Sequence, residues 1–326
     1  MAGLAAVGGL LVWLATAWRD GDQKVATVAG VVAALLAVPA VLAWLVAWWR
    51  QGVAPQAPPA AEELARAADV LAGQVAEQWK AEAVLRSLDD PDPMPVRWRI
   101  TARTRLMDHP ANLTPGAFLE GSSDAIAELS AAFRAMRRRR LVILGGPGTG
   151  KTTLAVQLLR HLLDTRQENE PVPVLVSISR WDTDRFPRLQ EWMTAELARG
   201  HPVLRAPALG EDMPRLLAVR GQILPVLDGL DELPGPARAT VIRALNRSLA
   251  DGDQLILTSR ADEYGEAVTG AGAVLTSALV IEPDPLEPAA AADYLQRCLP
   301  PLPAPAWERV LADLRRCFRP LGEPDH

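Results

Sequence analysis

The chain has 326 residues, 49% hydrophobic and 22% charged, with 34 Lys and Arg against 39 Asp and Glu and a net charge of −5. That acidic balance argues against a protein that coats nucleic acid, and two cysteines (Cys298, Cys317) with four scattered histidines suggest neither a disulfide framework nor a zinc site. The mean hydropathy of +0.06 conceals a split. Residues 1–49 hold only four charged side chains (Arg19, Asp20, Asp22, Lys24), which leaves the rest about a quarter charged, the ordinary share of a soluble domain.

The N-terminal segment contains two charge-free runs, residues 2–18 and 25–49, around a polar loop. At the helical rise they span roughly 25 and 37 Å, against about 30 Å of bilayer hydrocarbon. Trp13, Trp18, Trp44, Trp48 and Trp49 lie in these runs, most of them near the ends, as interfacial aromatics do. The reading is a transmembrane helical hairpin over residues 1–52, with the lipid bilayer as a partner. Its rival for the first run is a cleaved signal peptide, because Ala15-Thr16-Ala17 resembles a cleavage site, but no Lys or Arg precedes it. Ala29, Ala33 and Ala37 form a small-residue row that would let helices approach closely and self-associate.

Residues 53–60 read as a Pro/Ala linker, and 61–117 as a helical and extended connector. Within the connector, Leu64, Ala68, Leu71, Val75, Trp79, Val84, Leu85 and Leu88 recur every three or four residues, predicting an amphipathic helix stopped by Asp89-Asp90-Pro91. Val96, Trp98 and Ile100 alternate with Arg97, Arg99 and Thr101, predicting a half-buried strand. A helix follows over residues 123–136. Arg137, Arg138, Arg139 and Arg140 at its end read as a solvated face complementing the helix dipole.

The apolar run Leu141–Leu144 leads into Gly145, Gly146, Pro147, Gly148, Thr149, Gly150, Lys151 and Thr152, and Thr153 continues into a helical pattern. This is GxxxxGK[ST] between a strand and a helix, the context a phosphate-binding loop requires. Glycines let backbone N–H groups point inward, and the helix N-terminus adds positive potential. Lys151 is placed to reach the β and γ phosphates and the Thr152 hydroxyl to ligate Mg²⁺. A second strand, residues 222–227, ends at Asp228, the expected metal-side carboxylate, with Asp231 and Glu232 shortly beyond to orient or deprotonate water. A third, residues 254–258, ends beside Arg260, which is suited to sensing a γ-phosphate. The competing readings are turn chemistry for the acids and a solvent-exposed ion pair for Arg260. Residues 172–178 and 278–282 complete five strands alternating with helical stretches, an α/β pattern with sites at the carboxyl ends of strands.

In that order, GGPGTGKTTL, LPVLDGLDELP and LILTSR resemble the NACHT NTPases of the STAND branch of P-loop proteins, over residues 118–299. The resemblance implies a three-layer α/β/α fold whose parallel five-stranded sheet places the Arg260 strand between those of Lys151 and Asp228. It implies a nucleotide-controlled switch using ATP (or GTP) and Mg²⁺, slow hydrolysis, activation as a homo-oligomer and a signalling role of the kind found in bacterial defence. In this family the core continues into a lid, a winged helix and sensor repeats, whereas residues 300–326 read as a Pro-rich tail, so a separate lid or sensor protein is an expected partner. Nucleotide supply places the NTPase domain in the cytoplasm and the chain in the cell membrane with two spans. Two other readings stand beside this one. One is a nucleotide-binding scaffold that does not switch. The other is the NTPase subunit of a membrane transport complex, although no LSGGQ-like signature is present. The absence of an NKxD element favours ATP over GTP.

Overall fold

The computed structural model describes residues 61–85, 94–113, 121–209, 212–299 and 305–316. The hairpin of residues 1–52 and the linker of residues 53–60 lie outside the described residues. Among the described residues, no helix is long and apolar enough to cross a membrane.

Helix α1, Ala61–Leu85, buries Ala67, Ala68, Leu71, Val75, Trp79 and Ala83 against helices α3 (Lys151–Asp164) and α5 (Met213–Val219) and strand β4 (Val172–Ser177). The predicted stripe holds as far as Trp79 and then departs. The four-residue step continues to Ala83, so Val84 and Leu85 turn outward at 77% and 80% exposure. An ion pair from Arg166 to Asp69 at 2.7 Å adds a polar tie to this helix.

The sheet has seven strands rather than the expected five, in the order β2-β1-β7-β3-β6-β5-β4. Strands β3 (Arg140–Leu144), β4, β5 (Ile223–Asp228), β6 (Leu255–Ser259) and β7 (Leu279–Pro283) are the predicted five and run parallel. Strand β6 does lie between β3 and β5. Their sequences are nearly continuous apolar runs because a parallel sheet is covered on both faces. The two additional strands are β1, Arg97–Ile100, antiparallel to β7, and β2, Gly121–Ser122, antiparallel to β1. The alternation around Trp98 was legible, but its pairing with a strand some 180 positions away was not. Trp98 is 2% exposed while Arg97 and Arg99 face outward. Ser123 fastens the approach to β1: its hydroxyl accepts from Val96 N at 2.9 Å and donates to the Met94 carbonyl at 3.1 Å.

Helix α2, Ile126–Ala135, ends before the arginine run, and that run is not a solvated face. Arg140 is the first residue of β3 and only 2% exposed. Its guanidinium donates to the carbonyls of Asp253 at 3.1 Å, Thr276 at 2.9 Å and Ala250. Arg138 pairs with Asp251 at 2.9 Å and Arg139 donates to the Arg134 carbonyl. Backbone carbonyls at the amino ends of buried strands need donors, and the arginines supply them. The remaining helices are α4 (Leu189–Gly200), α6 (Gly235–Ser248), α7 (Ala261–Ala271), α8 (Pro288–Cys298) and α9 (Pro305–Arg316).

Candidate nucleotide-binding site

The site is built at the carboxyl ends of β3, β5 and β6, where a parallel sheet leaves a crevice beside its switch point. After β3 the chain makes a glycine-rich turn and enters α3 at Lys151. Gly148 and Gly150 have φ of +72° and +85°, a left-handed conformation that L side chains resist. Gly145 is required for space instead, since a Cβ there would lie 2.4 Å from Thr149 Oγ1. The Gly146 carbonyl accepts from Thr149 Oγ1 at 2.9 Å and from Lys151 Nζ at 2.8 Å. The predicted loop residues, Gly145 through Thr153, are thus continuous from the tip of β3 to the first turn of α3. Burial pulls the Lys151 ammonium below its ordinary pKa. The charge of Asp231 opposes that shift, Arg260 adds to it, and Asp228 and Glu263 oppose it.

Asp228 ends β5 and meets α3 directly: the Thr152 hydroxyl donates to its Oδ1 at 3.0 Å and lies 3.2 Å from its Oδ2. A second hydroxyl, which sequence reasoning missed, shares that carboxylate. Thr258, 1% exposed on β6, donates to Asp228 Oδ1 at 2.5 Å and accepts from Gly229 N at 2.9 Å. Its signal in the sequence was a hydroxyl near the end of an otherwise apolar strand, Leu255-Ile256-Leu257-Thr258. Gly229 has φ of +82°, and a Cβ there would lie 2.8 Å from the Glu232 carboxyl carbon. The small residue after Asp228 therefore serves the left-handed backbone, since the exposed Glu232 carboxylate can move aside.

Asp231 and Glu232 follow in a short turn, Leu230–Glu232, and take different surroundings. Asp231 lies 3.0 Å from Arg260 Nε through Oδ2 and accepts from the Arg260 backbone N–H at 3.2 Å through Oδ1. Glu232 is exposed. Arg260, immediately before α7, also lies 3.6 Å from Glu263. The structure thus brings Lys151, Asp228, Asp231 and Arg260 into one electrostatic cluster.

Beside the loop opens a cavity of about 600 Å³, lined by Met94, Trp98, Thr153, Pro283, Leu286 and Tyr294 among others, a volume in the range of small-ligand sites. Trp98 Nε1 and Gln157 Oε1 at this cavity are buried without a hydrogen-bond partner among the described residues. The wall formed by Met94, Val96 and Trp98 belongs to the connector, residues 61–117.

The oxygen-only donors Thr152 and Asp228 suit Mg²⁺, which takes one or two protein ligands and completes its shell with water and substrate phosphates. No group of three or more His, Cys, Asp or Glu side chains that could hold a metal occurs among the described residues. No curated protein matches this chain. The family model for the NACHT domain matches residues 139–300, which span β3 through α8 and include the glycine-rich loop, Asp228 and Arg260. Residues 139–300 are therefore a NACHT domain, and the chain carries a nucleotide-binding P-loop NTPase.

Proposed function

We propose that the chain is a membrane-anchored NACHT-type switch that binds Mg²⁺ with ATP, or with GTP, and hydrolyses it slowly. The observation that carries this reading is the convergence of Thr152 and Thr258 on Asp228 beside the glycine-rich loop. It prepares one carboxylate and one hydroxyl for a cation at the point where α3 presents its N-terminus.

In this reading backbone N–H groups of residues 145–150 and the Lys151 ammonium hold the phosphates, and Thr153 borders the cavity that takes the nucleoside. Thr152 and Asp228 would hold Mg²⁺, which when bound neutralises phosphate charge. Arg260 faces the terminal phosphate, while Asp231 and Glu232 are the acids available to orient water. Catalysis of phosphoryl transfer to water rests on positioning and charge, so a modest rate fits a site with few acids. The charge-free runs of residues 2–18 and 25–49 support anchoring in the cell membrane with the NTPase domain cytoplasmic. Homo-oligomerisation, a signalling role and a separate lid or sensor protein belong to the same proposal.

Nucleotide affinity and phosphate release, measured on Lys151→Ala and Glu232→Ala, test it. Loss of binding in Lys151→Ala, with binding kept but phosphate release lost in Glu232→Ala, supports a hydrolase. If neither substitution alters phosphate release, the chain is a binding scaffold instead. Sedimentation with membranes after an alkaline wash tests the anchor, and release into the supernatant would refute it.

A further inference from the structure

Both cations assigned above to the terminal phosphate have partners within the protein. Lys151 Nζ donates to the Gly146 carbonyl at 2.8 Å. Arg260 holds Asp231 through Nε at 3.0 Å and through its backbone N–H at 3.2 Å, with Glu263 at 3.6 Å from its NH1. Both oxygens of Asp231 are therefore engaged by one residue. Its side chain is 13% exposed against 46% for Arg260, so the carboxylate is the fixed member of the pair and the guanidinium the movable one. A carboxylate held in this way is poorly placed to take a proton from water, because doing so would dissolve its ion pair. The Glu232 carboxylate makes no ion pair or hydrogen bond among the described residues, its backbone N–H alone donating to the Gly229 carbonyl at 3.0 Å, and the two neighbouring acids divide accordingly.

We propose, on the reading of this site as one for a triphosphate, that Asp231 is a positioning residue standing in for the terminal phosphate as the partner of Arg260. A triphosphate then draws the arginine away, and a diphosphate leaves the pair intact. The exchange is physically economical. A half-exposed ion pair is weakly held, whereas a terminal phosphate offers a guanidinium more charge and two parallel acceptors. The backbone bond from Arg260 N keeps Asp231 at the start of α7 while the guanidinium moves.

The test is titration of the full chain with a non-hydrolysable ATP analogue and with ADP, each with Mg²⁺ at fixed ionic strength. Asp231→Asn keeps an amide oxygen for the Arg260 N–H, removes the charge and turns the oxygen that faces Arg260 Nε into an NH₂ donor. The triphosphate-over-diphosphate affinity ratio is expected to rise about tenfold, equivalent to ~1.4 kcal/mol. Asp231→Glu should stay near the wild-type ratio, Arg260→Gln should bring it towards one, and the double variant should match Arg260→Gln alone. An unchanged ratio in Asp231→Asn overturns the proposal, as does a double variant that keeps the raised ratio. A hundredfold fall in kcat with the ratio unchanged would make Asp231 the base. If the wild-type chain binds neither nucleotide, the site reading itself falls, a result distinct from all of these.

Discussion

Replacing Thr258 with Val removes a hydroxyl while keeping the shape of a side chain that is 1% exposed. Two bonds go with it: a donation to Asp228 at 2.5 Å and an acceptance from Gly229 N at 2.9 Å. A hydrogen bond to a charged group contributes about 1.5–3 kcal/mol, and an orphaned buried N–H costs about 1–3 kcal/mol. Because both bonds meet at one atom they are not additive, and a total near 2–4 kcal/mol is expected. Thr258→Ser keeps the hydroxyl and loses a methyl, at about 0.5–1.5 kcal/mol. Urea unfolding of the two variants, with the slope checked to be unchanged, reads the difference. The same pair should separate in Mg²⁺-supported nucleotide affinity, with about a tenfold loss for Val and little for Ser, since only Val removes one of the two hydroxyls that hold the Asp228 carboxylate. Equal stability of Thr258→Val and wild type, or equal nucleotide affinity in Val and Ser, would refute the idea that this hydroxyl orients Asp228.

Gly229→Ala imposes a side chain at φ of +82° and 2.8 Å from the Glu232 carboxyl carbon, so a cost of about 1–3 kcal/mol is expected by thermal unfolding. Adding Glu232→Ala should recover little, because the exposed Glu232 carboxylate can swing aside and the cost is in the backbone. Arg140→Met should lose about 1–3 kcal/mol, because it takes a buried donor away from three part-buried turn carbonyls, with nucleotide affinity of the folded fraction unchanged. His201 is 8% exposed, and desolvation lowers its pKa from 6.5. The unfolded chain then binds the proton more readily than the folded one. Stability is therefore full above about pH 6.5 and falls as the pH drops through the lowered folded value. His201→Gln should flatten that part of a stability profile, and a profile unchanged by the substitution would show that the burial of His201 carries no linkage.

The glycine-rich loop, Asp228 and Arg260 were legible because their chemistry is written in consecutive residues: an apolar strand, then a tip whose side chains face the crevice. The helix from Ala61 was legible for the same reason, through the three- and four-residue recurrence up to Trp79. What escaped depends on contacts between distant segments. Trp98 and Ile100 announce a strand, but only the antiparallel register of Ile100 with Ile281 joins it to the sheet and makes Met94 and Trp98 a wall of the cavity. Thr258 reads as one more strand residue until β5 is set beside β6, at which point its hydroxyl reaches Asp228. Arg140 reads as the last of a charged run, because nothing local reveals that two distant turns will close over it. The choice between Asp231 and Glu232 was open for a similar reason, since the partner of Asp231 lies 29 positions away, just past the end of another strand.

The Arg140 guanidinium has a consequence for how this domain tolerates alteration. It gathers the turn before β6 and the turn before β7 onto the first residue of β3, at the amino-terminal end of the sheet, opposite the glycine-rich loop. Surface turns usually accept added residues with little penalty, but turns tied through their carbonyls to one interior cation have no slack to give. Tags, fluorophores or grafted segments inserted at Ala250–Asp253 or at Thr276 would pull carbonyls from that cation. The exposed segment at Asp182–Asp184, held only by local bonds from the Asp182 side chain and carbonyl, is the better place to build.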